Sequence, residues 1–360
     1  MNIMLKWATG SGKTKEALDR TVQVIRSPSS DYSILIVVGE TQHKQNWKDE
    51  MKKWGFNLNA TIICYASLKK YRSTKHDVLI LDECHHCSSV LRQNILHTIK
   101  ADNVFALSAT PGESLQILQR LYGHFEVSTK GLNSLIKTGR LPKPEVFVYD
   151  LRLSEEHPEG CTLSEKDRYN LVESMIRKYR GTYARTHFLG DKFKMLQAGL
   201  ERKRLLGELK IPYVSYLLNK IDDKRYICFC PTIEIARKLY TLHPVGSACI
   251  NSKEPSKTNE ENLAAFNNGD KDHLFVVGML TEGTNLENIE AGVLMQLDRG
   301  ERTMIQKFGR TMRSEHPKMY FFRFLDTVDD KLVKNIAWNL DSQYLTNVEF
   351  HRRLLHAFSQ

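Results

Sequence analysis

The sequence has no long apolar run, few cysteines for its length and no biased or repetitive segment. Its 360 residues include seven cysteines, ten prolines and twenty glycines. A helix that crosses a bilayer needs about eighteen or more consecutive apolar residues, and no stretch of that length occurs. The opening residues "MNIMLKW" are too short and too polar for a secretory signal peptide. The sequence therefore predicts an intracellular, cytoplasmic protein with no membrane partner, or one of the host cytoplasm if the source is a virus such as a phage.

The cysteines form no repeated pairs. They lie at positions 64, 84, 87, 161, 228, 230 and 249. An odd, scattered set in a long chain is typical of reduced thiols rather than of a disulfide scaffold. The sequence is instead rich in charge, with 52 Lys and Arg against 42 Asp and Glu and a net charge of +10. This balance is compatible with a polyanionic partner, although charge alone does not identify one.

A glycine-rich stretch near the amino terminus, "WATGSGKT", has the composition of a phosphate-binding loop. Glycines let backbone N–H groups approach a phosphate closely, and the helix that follows would point its positive end at the same group. Lys13 would then reach the β- and γ-phosphates of a bound nucleotide, and the Thr14 hydroxyl would ligate Mg²⁺. Trp7 departs from the usual pattern because it stands where the first glycine is expected, so a turn without a ligand is the alternative interpretation. The candidate ATP-binding residues of this loop are Thr9, Gly10, Ser11, Gly12, Lys13 and Thr14.

A pair of carboxylates follows the apolar run "VLIL", which is typical of a strand buried on both faces of a parallel sheet. Open α/β sheets bind ligands at the carboxyl ends of their strands. Asp82 is therefore predicted to hold Mg²⁺, and Glu83 to polarise the attacking water. A zinc site made of Cys84, His85, His86 and Cys87 is the competing interpretation. Four adjacent residues do not easily close one tetrahedron, and no second Cys/His pair is nearby in the sequence.

The loop and the carboxylates, in this order, resemble those of superfamily-2 helicases, the DEAD/DEAH-box group, with the variant "DECH". The resemblance extends along nearly the whole chain. The stretches that match motifs Ia, Ib, III, IV, V and VI are "ILIVVGETQHKQNWKDEMKKW", "TIICYASLKKY", "FALSATP", "RYICFCPTIEIARKL", "VVGMLTEGTNLENI" and "QKFGRTMR". Their joint order is far more specific than any one motif.

The resemblance implies two tandem RecA-like parallel-sheet domains and an ATPase that depends on nucleic acid and Mg²⁺. It also implies roles for residues at the matching positions. Catalysis would use Glu83, Gln306, Arg310 and Arg313; the nucleotide would also contact Gly283 and Asn285; hydrolysis would be coupled through His85, Ser108 and Thr110; and nucleic acid would contact Thr41, Gln42, Tyr65, Ser67, Thr281 and Thr284. Asn285 departs from the aspartate found in many helicases.

Arg310 and Arg313 are three residues apart and would share one face of a helix. Such arginines can stabilise the charge that develops during phosphoryl transfer. A solvated pair on a helix surface is the alternative.

The middle of the chain concentrates positive charge. Residues 166–210 carry 12 Lys and Arg against 5 Asp and Glu, with several aromatics interleaved. Clustered cations bind backbone phosphates through counterion release, so Arg202, Lys203 and Arg204 are candidate nucleic-acid contacts. A solvated helical connector explains the same composition.

The style of the motifs is closer to DNA-repair, recombination and type III restriction motors than to RNA helicases. The sequence therefore predicts an ATP-dependent helicase or translocase and favours DNA over RNA as its substrate. A partner protein is a candidate source of specificity. An RNA-stimulated ATPase and a non-unwinding nucleic-acid-binding module are the alternatives.

The expected organisation is a first RecA-like domain at 1–140, a linker and basic helical segment at 141–210, a second RecA-like domain at 211–325 and a helical tail at 326–360. Only six residues precede Trp7, so the adenine-reading glutamine segment of the DEAD-box group is not expected in its usual form. Weak base discrimination is therefore predicted, with Trp7 or another aromatic stacking on the base. Comparing ATP and GTP hydrolysis tests this expectation.

Overall fold

The computed structural model describes residues 1–7, 11–25, 32–278, 286, 289–295, 314–337 and 340–350. The chain divides into two compact units, of which the first contains Met1–Lys143 and the second begins at Pro144. Each unit is built around its own parallel sheet, so the predicted pair of α/β sheets is confirmed.

The first unit contains a sheet of six strands within the described part of the chain, in the order β3-β2-β4-β5-β1-β6. Every neighbouring pair is parallel. The strands are β1 Asn2–Trp7, β2 Ile34–Val38, β3 Ala60–Cys64, β4 Lys75–Leu81, β5 Lys100–Leu107 and β6 Glu126–Lys130. Because all run in one direction, the segments that follow them lie along a single edge of the sheet.

Helices cover both faces of this sheet. They are α1 Lys13–Val24, α2 Thr41–Lys53, α3 Val90–Leu96, α4 Ser114–Tyr122 and α5 Leu132–Lys137, with 3-10 helices at Tyr65–Tyr71 and Cys84–Ser88. Alternate residues of β2 serve opposite faces. Ile34, Ile36 and Val38 join one apolar cluster, whereas Leu35 and Val37 join the other. An all-apolar strand such as "ILIVV" is stable only when both of its faces are covered.

The second unit contains a sheet of seven strands among the described residues, in the order β13-β7-β12-β11-β8-β10-β9. These pairs are also parallel. The strands are β7 Glu145–Leu151, β8 Tyr226–Phe229, β9 Ser247–Ile250, β10 His273–Val276, β11 Ala291–Leu294, β12 Lys318–Phe324 and β13 Leu345–Glu349. The helices are α6 Glu165–Thr186, α7 Leu189–Leu218, α8 Ile233–Leu242, α9 Ser256–Asn268 and α10 Val328–Ala337.

Helices α6 and α7 pack against each other as a hairpin. Ser164 and Asp167 form a capping box that satisfies donors at the start of α6. His187 ends that helix in the left-handed region, with φ of 52°. The second half of α7 packs on the sheet through residues such as Leu206 and Val214, which belong to the main core of the unit. The basic segment is therefore a long hairpin with one end anchored in that core.

Two segments of the second unit differ from the expectation. The tail predicted as helical contains α10, but it then forms β13, which pairs with β7. The segment predicted as a linker contains β7 itself, between β13 and β12. Both are short strands whose partners lie far away in sequence, so local periodicity gave no indication of the pairing. Over the described residues, every helix is too short or too polar to traverse a membrane.

Candidate nucleotide site

The predicted motifs of the first unit meet at one edge of its sheet. Asp82 directly follows β4, and Ser108 directly follows β5. β1 lies next to β5 and leads toward the glycine-rich loop. The phosphate-loop, carboxylate and coupling motifs therefore follow three adjacent parallel strands and lie at their carboxyl ends. Open parallel sheets bind their ligands at that edge.

The glycine-rich loop enters α1 at Lys13. Gly12 has φ of 84°, a left-handed conformation that a residue without a Cβ adopts without strain. Gly12, at the start of the helix, has no side chain to cap it, so within the described part of the chain the first N–H groups gain no acceptor from a cap. The Ser11 hydroxyl is buried and lacks a hydrogen-bond partner among the described residues. The Lys13 ammonium donates to the carbonyl oxygen of Trp7 at 3.1 Å. A phosphate would supply acceptors for the Ser11 hydroxyl and for the first N–H groups of α1, and a further acceptor for the Lys13 ammonium.

Asp82 is a partly buried carboxylate held by two hydrogen-bond donors. Its Oδ2 accepts the indole N–H of Trp47 at 2.9 Å, and its Oδ1 accepts the backbone N–H of Glu83 at 3.0 Å. Burial raises the pKa of Asp82, and the charge of Glu83 raises it further, whereas Trp47, His43 and Lys13 act in the opposite direction. The residue is therefore poised to keep its negative charge only when cations or donors face it.

Glu83 begins a polar network that links the two motifs. Its backbone is left-handed, with φ of 46°. His85 Nδ1 lies 3.2 Å from Glu83 Oε2 and 3.4 Å from the Ser108 hydroxyl. That hydroxyl in turn accepts the backbone N–H of Thr110 at 3.2 Å. Glu83, His85, Ser108 and Thr110 thus form one connected chain of polar contacts. The coupling role of His85, Ser108 and Thr110 stays a prediction.

The cysteines of "DECHHC" are packing residues in this structure. Cys84 and Cys87 are fully buried in the apolar cluster beneath the sheet edge. Cys87 donates to the Tyr65 hydroxyl at 3.6 Å, and burial raises the pKa of Cys87 to about 12. Metal binding requires the thiolate. Among the described residues, no three Cys, His, Asp or Glu side chains are grouped so that they could hold a metal ion.

The residues of motifs Ia and Ib lie on neighbouring segments. Thr41 is the exposed first residue of α2, and its hydroxyl lies 3.8 Å from Cys64 Sγ. Gln42 follows in the helix, but its side chain is outside the described set. Tyr65 is buried, with its ring 5.4 Å from the Arg92 guanidinium carbon. Ser67 is partly exposed on the same 3-10 helix. Thr41 and Ser67 are therefore accessible for direct contact with a nucleic-acid strand, whereas the buried Tyr65 is not.

A cavity of about 510 Å³ beside Tyr65 was not predicted from the sequence. It lies between the 3-10 helix at Tyr65–Tyr71 and α3. Its lining includes the three cations Lys69, Arg72 and Arg92, and none of them makes an ion pair within the described residues. Arg92 is held in place because it donates to the His86 carbonyl at 2.9 Å. The sequence signal was weak because Arg92 is twenty residues away from Arg72.

Trp7 corrects one expectation, and Trp47 adds a residue that sequence reasoning missed. Trp7 is only 1% exposed, its indole N–H donates to Ser128 Oγ at 3.0 Å, and the Lys130 ammonium lies over its ring. As the last inward-facing residue of β1 it belongs to the core, so it is not placed to stack on a base. Trp47 and His43, from α2, both face Asp82 instead.

The basic residues of the hairpin differ in surroundings. Arg202 is only 12% exposed and is ion-paired with Glu173 of α6. Arg204 is half-exposed and pairs with Glu201 at 2.9 Å and Glu208 at 3.4 Å. Lys203 lies between them in α7. The predicted sites that lie outside the described residues are Thr9, Gly10, Thr281, Gly283, Thr284, Asn285, Gln306, Arg310 and Arg313.

Two family models and several known proteins match parts of the chain. Residues 209–315 match the model of the helicase conserved C-terminal domain, and residues 58–113 match that of the type III restriction enzyme, res subunit. The chain is 20% identical over 280 residues to "Putative ATP-dependent helicase IRC3" of Saccharomyces cerevisiae. This alignment covers 75% of the chain and 37% of that protein. "Putative helicase 22" of a Sulfolobus islandicus filamentous virus is 22% identical and covers 88% of this chain and 59% of that protein. These matches support a relation of the chain to superfamily-2 helicases of the type III restriction and DNA-repair kind.

Solved structures show a similar fold. The Pyrococcus furiosus Hef helicase domain aligns with a TM-score of 0.59 and 13% identity, and the alignment covers 93% of this chain and 94% of that chain. The S. cerevisiae protein Dbp5, bound to RNA and ADP BeF3, aligns with a TM-score of 0.61 and 14% identity, covering 97% and 85%. The chain spans 37% and 59% of the lengths of the two curated relatives. The predicted relation to type III restriction and DNA-repair helicases is confirmed.

Proposed function

We propose that this helicase is an ATP-dependent translocase that acts on DNA and couples hydrolysis at the Lys13–Asp82–Glu83 site to movement along a strand. One observation carries the proposal. Lys13, Asp82, Glu83 and Ser108 follow adjacent strands of one parallel sheet, with a polar chain joining the last two. Phosphoryl transfer needs positioning and charge compensation rather than covalent chemistry from the protein, and these residues supply both.

Each residue of the site has a separate task in the proposal. Lys13 and the open N–H groups at the start of α1 bind the phosphates of ATP. Glu83 orients the attacking water and accepts its proton. Thr14 and Asp82 would hold Mg²⁺, which supplies positive charge to the β- and γ-phosphates. The partly buried Asp82 carboxylate and the Thr14 hydroxyl at the helix start offer oxygen ligands, the type that this ion prefers.

The family resemblance assigns the remaining catalytic groups. Arg310 and Arg313 would face the transferred phosphate, Gln306 would help to hold the water, and Gly283 with Asn285 would contact the nucleotide. Arginines in this role contribute about 10³–10⁵ in rate in other phosphoryl-transfer enzymes. All five residues belong to the matched helicase conserved C-terminal domain.

The coupling proposal uses the network from Glu83 to Thr110. His85 contacts both Glu83 and Ser108, so a change at the water-orienting carboxylate would be transmitted to the segment after β5. Nucleic acid would contact the first unit at Thr41, Ser67 and the basic cavity of Lys69, Arg72 and Arg92. Thr281 and Thr284 are the matching positions in motif V.

DNA is proposed over RNA because the first unit matches a restriction-enzyme family model. Basic positions of α7, including Lys203 and Arg204, would add contacts to backbone phosphates.

The deciding experiment is an ATPase assay with single-stranded, duplex and forked DNA and with RNA. We expect DNA to stimulate hydrolysis more strongly than RNA. Lys13→Ala should lose hydrolysis, since the phosphates lose their ammonium partner. Lys15→Ala is the matched control, because Lys15 sits in the same helix but pairs with Asp19 at 2.8 Å. Hydrolysis by Lys13→Ala at the parental rate would refute the phosphate-loop assignment, and stronger stimulation by RNA would favour the RNA-stimulated ATPase.

A further inference from the structure

The first half of α7 carries an apolar stripe on its outer side. Leu189 is 71% exposed, Phe193 61%, Leu196 54% and Leu200 66%. Their spacing of four, three and four residues is that of the a and d positions of a coiled coil, so the four side chains follow one line along the helix. Over eleven residue steps the line is about 16 Å long. We refer to these four residues as the α7 stripe.

The stripe is not part of the packing between α6 and α7. Ala198, on the opposite side of α7, is 5% exposed and packs with Val172 and Ile176 of α6. The helix therefore has apolar residues on two opposite faces, and one of them already forms the hairpin. A water-exposed helix that serves only as a connector needs one apolar face. A second, continuous one is typical of a binding surface.

Charge restricts what can cover the stripe. Residues 177–204, which form the outer part of the hairpin, carry nine Lys and Arg against two Asp and Glu. By the heptad positions, Lys192 lies beside the stripe, and Lys203 and Arg204 follow Leu200 within about one helical turn. A second copy of the hairpin would bring two basic surfaces together, which is unfavourable. An occupant with acidic flanks would be attracted instead.

We propose that the α7 stripe docks an amphipathic helix of a partner protein, with apolar residues at heptad spacing and Asp or Glu beside them. The spacing selects a helix, because knobs at a and d positions fit holes between four residues of another helix. The basic flanks select its charge. The proposal goes beyond ATP hydrolysis and assigns the hairpin a protein-binding role that is independent of the nucleotide site.

The test uses synthetic peptides with the full chain. Three labelled 21-residue peptides are compared by fluorescence anisotropy: one with Leu at a and d and Glu at e and g, one with Lys replacing the Glu, and one with the first composition scrambled. We expect the acidic heptad peptide to bind at least tenfold more tightly than either of the others. Its binding should also weaken with added salt, because the flanking contacts are electrostatic.

The variant Phe193→Ser/Leu196→Asn should reduce that binding at least tenfold. Both positions are exposed, so the variant should keep the circular dichroism spectrum of the parent. Leu242→Asn/Val245→Asn is the matched control, with side chains 52% and 85% exposed elsewhere in the second unit, and should bind the peptide as the parent does.

Four results would overturn the proposal. Equal affinity for the acidic and basic peptides, or no binding of the acidic peptide at about 1 mM, would exclude the stated occupant. Self-association of the chain that Phe193→Ser/Leu196→Asn abolishes would make a second copy the occupant. Loss of oligonucleotide affinity in the same variant, without peptide binding to the parent, would assign the stripe to nucleic acid.

Discussion

The sheet edge of the first unit and the α6–α7 hairpin of the second place polar residues in opposite ways. At the sheet edge, Asp82 is partly buried and held by Trp47 and by the backbone of Glu83. On the outer hairpin, Arg204 is half-exposed and pairs within its own helix. Charges of the first kind are set by the fold, since their pKa and orientation depend on distant residues. Charges of the second kind depend mainly on composition and salt.

The difference is sharpest at Glu83. Glu83→Gln keeps the shape of the side chain but removes its ability to accept a proton, so nucleic-acid-stimulated hydrolysis should fall by about 10²–10⁴. Binding of a non-hydrolysable ATP analogue should remain, because Lys13 and the loop are unchanged. Steady-state ATPase rates and analogue titration measure the two effects.

Glu126→Gln, on an exposed position of β6, is the control and should hydrolyse ATP at the parental rate. A Glu83→Gln rate within a few-fold of the parent would mean that another group positions the water.

The base of the hairpin should behave like the sheet edge rather than like the outer hairpin. Lys210 and Asp329 are almost fully buried, 2.6 Å apart, and Lys210 also donates to the Met295 carbonyl at 2.9 Å. Removing one partner of such a pair leaves an uncompensated charge and costs about 3–5 kcal/mol. Lys210→Met should therefore lower the free energy of unfolding by that amount in urea titrations.

Lys331→Met, at an exposed position, should change the unfolding free energy by less than about 0.5 kcal/mol. Lys210→Met/Asp329→Asn should recover part of the loss because no unpaired charge remains. Equal stability of Lys210→Met and the parent would contradict the buried pairing.

Trp47→Phe tests how far the fold sets the charge of Asp82. The substitution removes the N–H bond that holds the pKa of Asp82 down, so that pKa should rise further. Only ionised Asp82 would hold the cation, so the rate should fall with decreasing pH from a higher starting pH than in the parent. At neutral pH we expect a reduction of a few-fold, read from the pH–rate profile.

Trp54→Phe supplies a closely matched control, since Trp54 donates its indole N–H to the exposed Glu50 at 2.7 Å. Its pH–rate profile should overlay that of the parent. If the pH–rate profiles of Trp47→Phe and the parent coincided, the Trp47 indole would have no effect on the pKa of Asp82 that matters for the rate.

The smallest effects are expected on the outer hairpin. Arg204→Ala should change the unfolding free energy by less than about 0.5 kcal/mol, because exposed ion pairs contribute little. If Arg204 contacts a phosphate, the slope of log affinity for DNA against log salt should become shallower by about one unit. Arg202→Ala should cost more stability because its pair with Glu173 is largely buried.

An unchanged salt slope in Arg202→Ala/Lys203→Ala/Arg204→Ala would show that the basic segment is a structural connector.

Sequence reasoning worked where a few consecutive residues carry the chemistry. The glycine turn before Lys13 and the carboxylates after an apolar strand are local patterns, and both lie at the predicted strand ends. It failed where partners are distant in the chain. The Trp47–Asp82 bond and the Lys210–Asp329 pair join positions 35 and 119 residues apart, and no periodicity connects them. The roles of the site residues stay predictions. Three of these residues, Gln306, Arg310 and Arg313, lie outside the part of the chain that the structure describes.

Strand β13 has a practical consequence for handling the protein. Among the described residues it is the edge strand of the second sheet, and it covers β7. Without it, β7, which is longer and more apolar, would present the open row of backbone N–H and C=O groups. Uncovered strands of this kind recruit other chains during expression and storage. A shortened version that stops before Leu345 would therefore be expected to precipitate, even though every motif of the nucleotide site is retained.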